Sequence, residues 1–340
     1  EVRGERGSQR QLVTLLRIVI VVVYLTLTPH TSHLTPAAES AELLVGAAKL
    51  ELTPPVKTPL AGYSRRHGTL STGIRDPLYV RAVVLQDHDS MVALVSCDVL
   101  IIDELLFEAV KTRLDAMRSS PPITLLIAAT HTHSGPGGYG KKFLEKLSMG
   151  HFNPTVFEFL VTRIAQAIRA ASAHMQPVTM RYVSASTKDL VVNRMDPAGA
   201  VDPELTALVF VDQQHKPVAV IVNFSAHPTT LGAWNRSLSA DYPGVLTQAV
   251  EQRHPTAICL FVPGAVGDQG PVKQGTGFEP ATWLGTQLAS QVLALLDQPG
   301  EARPTSLVVD QRTMRLPPAR FRLGTLSLPS WLSQSLVDDD

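Results

Sequence analysis

The sequence predicts an α/β domain built in layers, with mixed β-sheets flanked by helices and a metal site at the strand ends. Three observations point to it. Short apolar, β-branched runs recur along the chain. Helical periodicities lie between some of them. Several of the runs stop at residues able to hold a metal or move a proton.

The strand-like runs are residues 79–85, 91–96, 123–129, 178–183, 207–211, 218–224 and 257–262. Several are apolar at successive positions, as expected of strands covered on both faces. The first two are joined by the polar stretch Gln86-Asp87-His88-Asp89-Ser90, a hairpin signal. Residues 104–117 carry Leu105, Phe107, Val110 and Leu114 at helical spacing, and residues 155–173 carry Phe159, Ile164 and Ile168. Residues 238–253 and 282–296 read the same way. Alternation of strand and helix is partial, and hairpins occur, so the pattern is mixed rather than purely parallel.

The chain of 340 residues is 44% hydrophobic and 18% charged, enough to bury a sizeable core. Thirty basic residues balance thirty acidic ones, with no Lys/Arg run, so no nucleic-acid partner is expected. Arg3, Arg6, Arg10 and Arg17 precede the apolar stretch 18–27, and the small residues Ala37, Ala38, Ser40 and Ala41 follow. Residues 1–41 therefore read as a signal peptide or N-terminal anchor, implying a secreted, periplasmic or cell-surface protein. A domain over 43–300 follows. Residues 301–340, with Pro304, Pro317, Pro318, Pro329 and the terminal Asp338-Asp339-Asp340, read as its incomplete tail, without a helix or strand signal. Cys97 and Cys259 form no disulfide framework and are expected as buried thiols.

The run 123–129 leads into Thr130-His131-Thr132-His133-Ser134-Gly135-Pro136-Gly137-Gly138. Two histidines at i and i+2 of extended chain share one face, which suits a metal ligand beside a proton-handling group. Three other runs end alike, at Asp98, at Ser225-Ala226-His227-Pro228, and at Gly264-Ala265-Val266-Gly267-Asp268-Gln269-Gly270-Pro271. If these strands are neighbours, His131, His133, His227, Asp98 and Asp268 converge into a set suited to zinc. Each has a plainer alternative: a loop histidine at 227, a helix cap at Asp98, a turn residue at Asp268. His67, His88, His151, His174, His215 and His254 read as solvated.

The Thr130–Gly138 loop resembles the signature loop of the neutral/alkaline, non-lysosomal ceramidases. Further segments resemble that family in the same order: Val45-Gly46 with Thr53-Pro54, Ala61-Gly62-Tyr63, Ser96-Cys97-Asp98, Val192-Asn193-Arg194, Asn223 to His227, and Gly267 to Pro271. The resemblance spans roughly 45–295. It implies a zinc-dependent amidase that cleaves N-acyl sphingosine to sphingosine and a fatty acid, with metal-bound water as nucleophile. It makes His131 and His227 metal ligands. It gives His133, Arg194 and Asp268 catalytic roles, and places Asn193 and Gly270 at the substrate. The family's loop carries a serine where Gly270 stands here. Its glutamate and tyrosine zinc ligands lie further downstream and have no match before Asp340; neither Tyr242 nor Glu279 stands in their context. The chain thus reads as part of a catalytic domain. A lipid-like N-acyl substrate makes peripheral membrane contact an expectation, although no amphipathic membrane helix stands out. Two alternatives are a zinc hydrolase of another amide or ester, and a non-catalytic lipid- or glycan-binding relative.

Overall fold

A computed structural model describes residues 17–27, 43–88, 90–117, 119–298, 305–315, 322–323 and 326–327, and the side chains of 43–88, 90–117, 119–298 and 307–311. In chain order the main elements are β1 (Leu44–Glu51), β2 (Tyr79–Gln86), β3 (Met91–Cys97), α1 (Glu104–Asp115), β4 (Ile123–Ala129), α2 (Phe143–Met149), α3 (Pro154–Ser172), β5 (Gln176–Pro177), β6 (Thr179–Ser186), β7 (Val191–Asn193), β8 (Glu204–Val211), β9 (Pro217–Phe224), α4 (Asp241–Arg253), β10 (Ile258–Pro263), β11 (Gln269–Pro271) and α5 (Glu279–Asp297).

One sheet has the order β4-β3-β2-β1-β5, the other β10-β9-β8-β6. Both are mixed: β3 and β4 are parallel and enclose α1, and β9 and β10 are parallel and enclose α4. The remaining pairs in the two sheets are antiparallel. The expected hairpin is the β2–β3 pair, with Gln86 opposite Met91.

The period of two along each strand sorts the core into layers. Val80, Ala82 and Val84 of β2 pack with Val110, Leu114, Leu160 and Ile164 of α1 and α3. The alternate residues Val83 and Leu85 pack with Phe210, Ala219 and Leu260 of the other sheet. On that sheet's far face, Val209, Val222 and Phe261 meet Leu246, Val250, Leu284 and Leu288 of α4 and α5. The order is therefore helices, sheet, sheet, helices, and both sheets are covered on two faces. That explains the unbroken apolar runs. Cys97 and Cys259 are buried free thiols in this core.

Local signals set the helix starts. Asp103, not Asp98, caps α1: its side chain accepts from the Leu106 amide at 2.8 Å. Asn153 caps α3, with Pro154 at the first turn. The helix expected from residue 238 begins at Asp241, because Ser237–Leu238 pairs as a short strand with Gly73–Ile74.

Arg17–Leu27, within the expected leader, pairs antiparallel with Thr305–Arg315. The tail therefore does hold a strand. Its pairing partner lies almost the whole chain away, so no local pattern announces it. Arg3, Arg6, Arg10, the small residues 37–41, Pro304, Pro317, Pro318, Pro329 and Asp338–Asp340 lie outside the described residues. No helix among the described residues is long and apolar enough to cross a membrane.

Candidate metal centre

His131 and His133 follow β4, and His227 follows β9, at the carboxyl ends of strands in parallel pairs. Their imidazoles meet: one ring nitrogen of each lies within 4.8 Å of the others. The ring centroids are 4.6–5.1 Å apart, and His133 Nε2 sits 2.9 Å from His227 Nε2. Strand alternation is not what joins His131 and His133. β4 ends at Ala129, and His131 has φ 65°, in the left-handed region that few L residues occupy. That kink, tied by the His131 amide to Val99 O at 3.1 Å, directs both rings into one site.

Backbone carbonyls fix the rings. His131 Nδ1 lies 2.7 Å from Leu100 O, and His227 Nδ1 lies 3.0 Å from Val266 O. Each carbonyl requires a proton on Nδ1, which leaves the Nε2 lone pair free for a metal. With the His227 proton on Nδ1, the 2.9 Å contact between the two Nε2 atoms puts a proton on His133 Nε2. Burial first, then the neighbouring His227, His131 and Arg66, push His133 down to about 3. Burial is also the main reason His227 falls to about 4 and His131 lies below its ordinary value. All three are neutral at pH 7, the state a metal requires.

Around them the walls are polar and built from distant segments. Gly62 has φ 101°, and a Cβ there would stand 2.5 Å from His133 Nδ1, so only glycine fits. Tyr63 sets its ring edge-on to His133 with centroids 4.9 Å apart, and its hydroxyl donates to Leu231 O. Burial, then Asp241, raises that hydroxyl to about 12.

Arg66 is not singled out as a site residue from the sequence, where only its neighbour His67 is read, as solvated. Arg66 is 1% exposed. Its guanidinium donates to four backbone carbonyls: Ala61 O at 3.0 Å, His133 O at 2.6 Å, Gly232 O at 3.2 Å and Ala233 O at 3.4 Å. Three loops are thereby held to one side chain. Desolvation brings it down to about 10, which still leaves it charged at neutral pH. Arg66→Met leaves those carbonyls without this donor, at about 1 kcal/mol or more each, so a loss of about 3–4 kcal/mol is expected. Urea unfolding measures it; a midpoint unchanged from wild type would refute the keystone role.

The loop after β10 joins the remaining site residues. Its Val266 O holds His227. Its Gly267 O accepts from Arg194 Nε at 2.9 Å and Nη2 at 2.6 Å. Arg194 is exposed, yet its charge contributes to lowering both His131 and His227. β7 and β11 pair with Gln269 opposite Asn193 and Gly270 opposite Val192. Asp268 is not part of the metal cluster among the described residues. One of its oxygens accepts from Gln269 Nε2 at 2.8 Å and the other from Asn193 Nδ2 at 3.1 Å. The Gln269 bond leads in holding its carboxyl below the usual range. A Cβ on Gly270 would lie 3.3 Å from Arg194 Cβ, so this position adjoins the guanidinium-bearing residue.

Asp98 also stays out of the metal cluster. It is 1% exposed and turns to Arg81 Nη1 at 3.3 Å and to the Tyr79 amide at 2.9 Å. Arg81 is likewise buried, and its charge draws the carboxylate into the protein rather than toward the histidines. Tyr242 donates its hydroxyl to Ala226 O, and Glu279 accepts from the Thr276 amide, so neither is a ligand in this arrangement. His67, His88, His151, His174 and His215 are exposed, and His254 is half-buried.

The model of the family "Neutral/alkaline non-lysosomal ceramidase, N-terminal" matches residues 43–277. The chain belongs to this family. A neutral ceramidase of Pseudomonas aeruginosa is 27% identical over 256 residues, covering 68% of this chain and 38% of that protein. One from Mycobacterium tuberculosis is 28% identical over 233 residues, covering 60% and 36%. The chain thus spans well under half the length of these relatives. The crystal structure of the Pseudomonas aeruginosa neutral ceramidase superposes with a TM-score of 0.69 at 24% identity, over 76% of this chain and 45% of that one. The likeness bears out the layered ceramidase fold expected from the sequence.

Proposed function

We propose that this chain carries the metal-binding and carbonyl-polarising part of a zinc-dependent amidase that cleaves N-acyl sphingosines, giving sphingosine and a fatty acid. The observation that carries the reading is the cluster of three neutral imidazoles, two with Nδ1 fixed on backbone carbonyls, with the exposed Arg194 guanidinium, held on Gly267 O, close enough to lower the pKa of two of them. Nitrogen donors with such partners fit zinc. His131 and His227 are its ligands in this reading.

Zinc held there supplies a Lewis acid and lowers the pKa of a bound water to ~7. The side chains do the rest. With His227 Nε2 given over to the metal, the His133 Nε2 proton that it accepts here would be left to donate to the amide oxygen. Arg194 spends Nε and Nη2 on Gly267 O, which leaves Nη1 to face charge that develops on that oxygen. Asn193 and Asp268 tie β7 to the loop after β10 and so set the guanidinium beside the histidines. Gly270 supplies no hydroxyl, so polarisation falls to His133 and Arg194. The names of the relatives and the family support ceramide as the substrate class.

Elemental analysis of the purified chain tests the reading, followed by release of fatty acid from an N-acyl sphingosine probe. About one zinc per chain and zinc-dependent release are expected. Because the resemblance implies two further ligands that have no match before Asp340, a folded chain without zinc or turnover sinks the reading only if a longer form that carries them stays zinc-free and inactive as well.

A further inference from the structure

We propose that the face formed by α2 and the turn Ser64–Arg66 is a docking surface for an anionic lipid bilayer, set beside the histidine site. The inference deepens the reading of that site as one for a lipid amide and rests on it. Phe143, Leu144 and Leu147 on α2 are 44%, 39% and 50% exposed, while Met149 is the residue this helix buries. A surface helix of a water-soluble face normally hides such side chains. Here they project from a helix of 7 residues, too short to register as a periodicity in the sequence.

The apolar group has a basic surround. Arg65, Lys141 and Lys146 are exposed, and Lys142 is half-buried. Glu145, the acidic residue of α2, is half-buried and accepts from the Lys142 amide at 2.8 Å. A cavity of about 590 Å³ opens between the two elements, with Arg65, His67, Phe143, Lys146 and Leu147 on its walls. The face is also coupled to the site. The amide of Gly62, the residue pressed against His133, donates to Ser148 O of α2 at 3.0 Å. One residue thus separates this helix from the imidazole that would polarise the substrate.

Apolar side chains within a ring of cations are what a peripheral contact with anionic lipid requires. The apolar group enters the acyl boundary, and the lysines meet negatively charged headgroups. The sign of the charge argues for an anionic surface over a zwitterionic one. Docking by this face would bring the histidine site to the surface where a membrane-resident N-acyl lipid is found.

Vesicle flotation with the full chain tests this, comparing phosphatidylcholine–phosphatidylserine vesicles with pure phosphatidylcholine. Wild type is expected on the anionic vesicles, less so as salt rises. Phe143→Ser/Leu147→Ser is expected to lower binding about tenfold at every salt concentration. Lys141→Glu/Lys146→Glu is expected to lower it about 25-fold or more at low salt and to flatten the salt dependence. Both variants should keep the zinc content and the rate on a soluble short-chain N-acyl substrate, which shows that they fold. Wild type that ignores anionic vesicles, or variants that bind like wild type, would overturn the proposal. So would a concentration-dependent dimer that Phe143→Ser/Leu147→Ser dissolves, since a second copy would then own the face. Flotation needs no turnover, so its failure leaves the amidase reading standing. Intact flotation with no hydrolysis strikes the amidase reading alone.

Discussion

Replacing His131 or His227 by alanine is expected to strip the chain of zinc and abolish hydrolysis of an N-acyl sphingosine probe. The two rings are the ones whose Nδ1 atoms are committed to Leu100 O and Val266 O, so each offers a pre-oriented Nε2. Losing an outer partner of such a ligand typically costs about 10–100-fold in metal affinity, and losing the ligand itself should cost more than that. Each variant gives up about one hydrogen bond, on the order of 1 kcal/mol, so the fold should survive. His133→Ala provides the contrast. If His133 polarises the amide, that variant retains zinc while turnover drops by about 10²–10³-fold, the range seen when one oxyanion donor is removed. Zinc content and turnover are measured side by side. His131→Ala with full zinc would show that the ligands are misassigned. Wild type that binds the probe without cleaving it would favour the non-catalytic relative.

How much of this was legible beforehand depends on where each signal is stored. The strands of both sheets announce themselves because they are covered on two faces and must be apolar at successive positions, as in Ala82 to Leu85. Leu44–Glu51 contains Gly46-Ala47-Ala48 and has little strand character of its own; only its likeness to a family segment marks it. The three histidines could be read as strand-end residues, but the reason His131 and His133 converge could not. It lies in a left-handed backbone at His131, which composition does not encode. Arg66 shows the limit most clearly. Its burial is created by carbonyls from residues 61, 133, 232 and 233, segments that no local window contains. Asp98 is the converse case. Its residue type and its place after a strand suited a ligand, and the buried cation that claims it sits one strand away.

That cation carries the second large effect. Arg81→Met is expected to destabilise the chain by about 3–5 kcal/mol at neutral pH, without altering zinc stoichiometry in whatever fraction remains folded. Arg81 is 3% exposed and bridges two carboxylates, Asp98 at 3.3 Å and Glu251 at 3.0 Å; Glu251 also takes Lys49 at 2.5 Å. Burial alone pushes the Asp98 carboxyl upward, and Arg81 is the largest influence pulling it back. Without the guanidinium, Asp98 is a buried charge with no counter-ion, whereas Glu251 keeps Lys49. The folded-state pKa of Asp98 in the variant then rises further above its unfolded value. The unfolded chain holds fewer protons at that site than the folded one, so the penalty is full above the raised pKa and fades as pH falls through it. The variant's deficit should therefore shrink on mild acidification, while the wild type, whose Asp98 carboxyl is raised less because Arg81 pulls it back, recovers less. Adding Asp98→Asn to Arg81→Met should restore part of the loss, since an amide has no charge to bury. Urea midpoints of the wild type, both single variants and the double variant close the cycle. Additive losses would mean that the two residues do not act as a pair, and loss of zinc in a folded Asp98→Asn variant would return that carboxylate to the metal site.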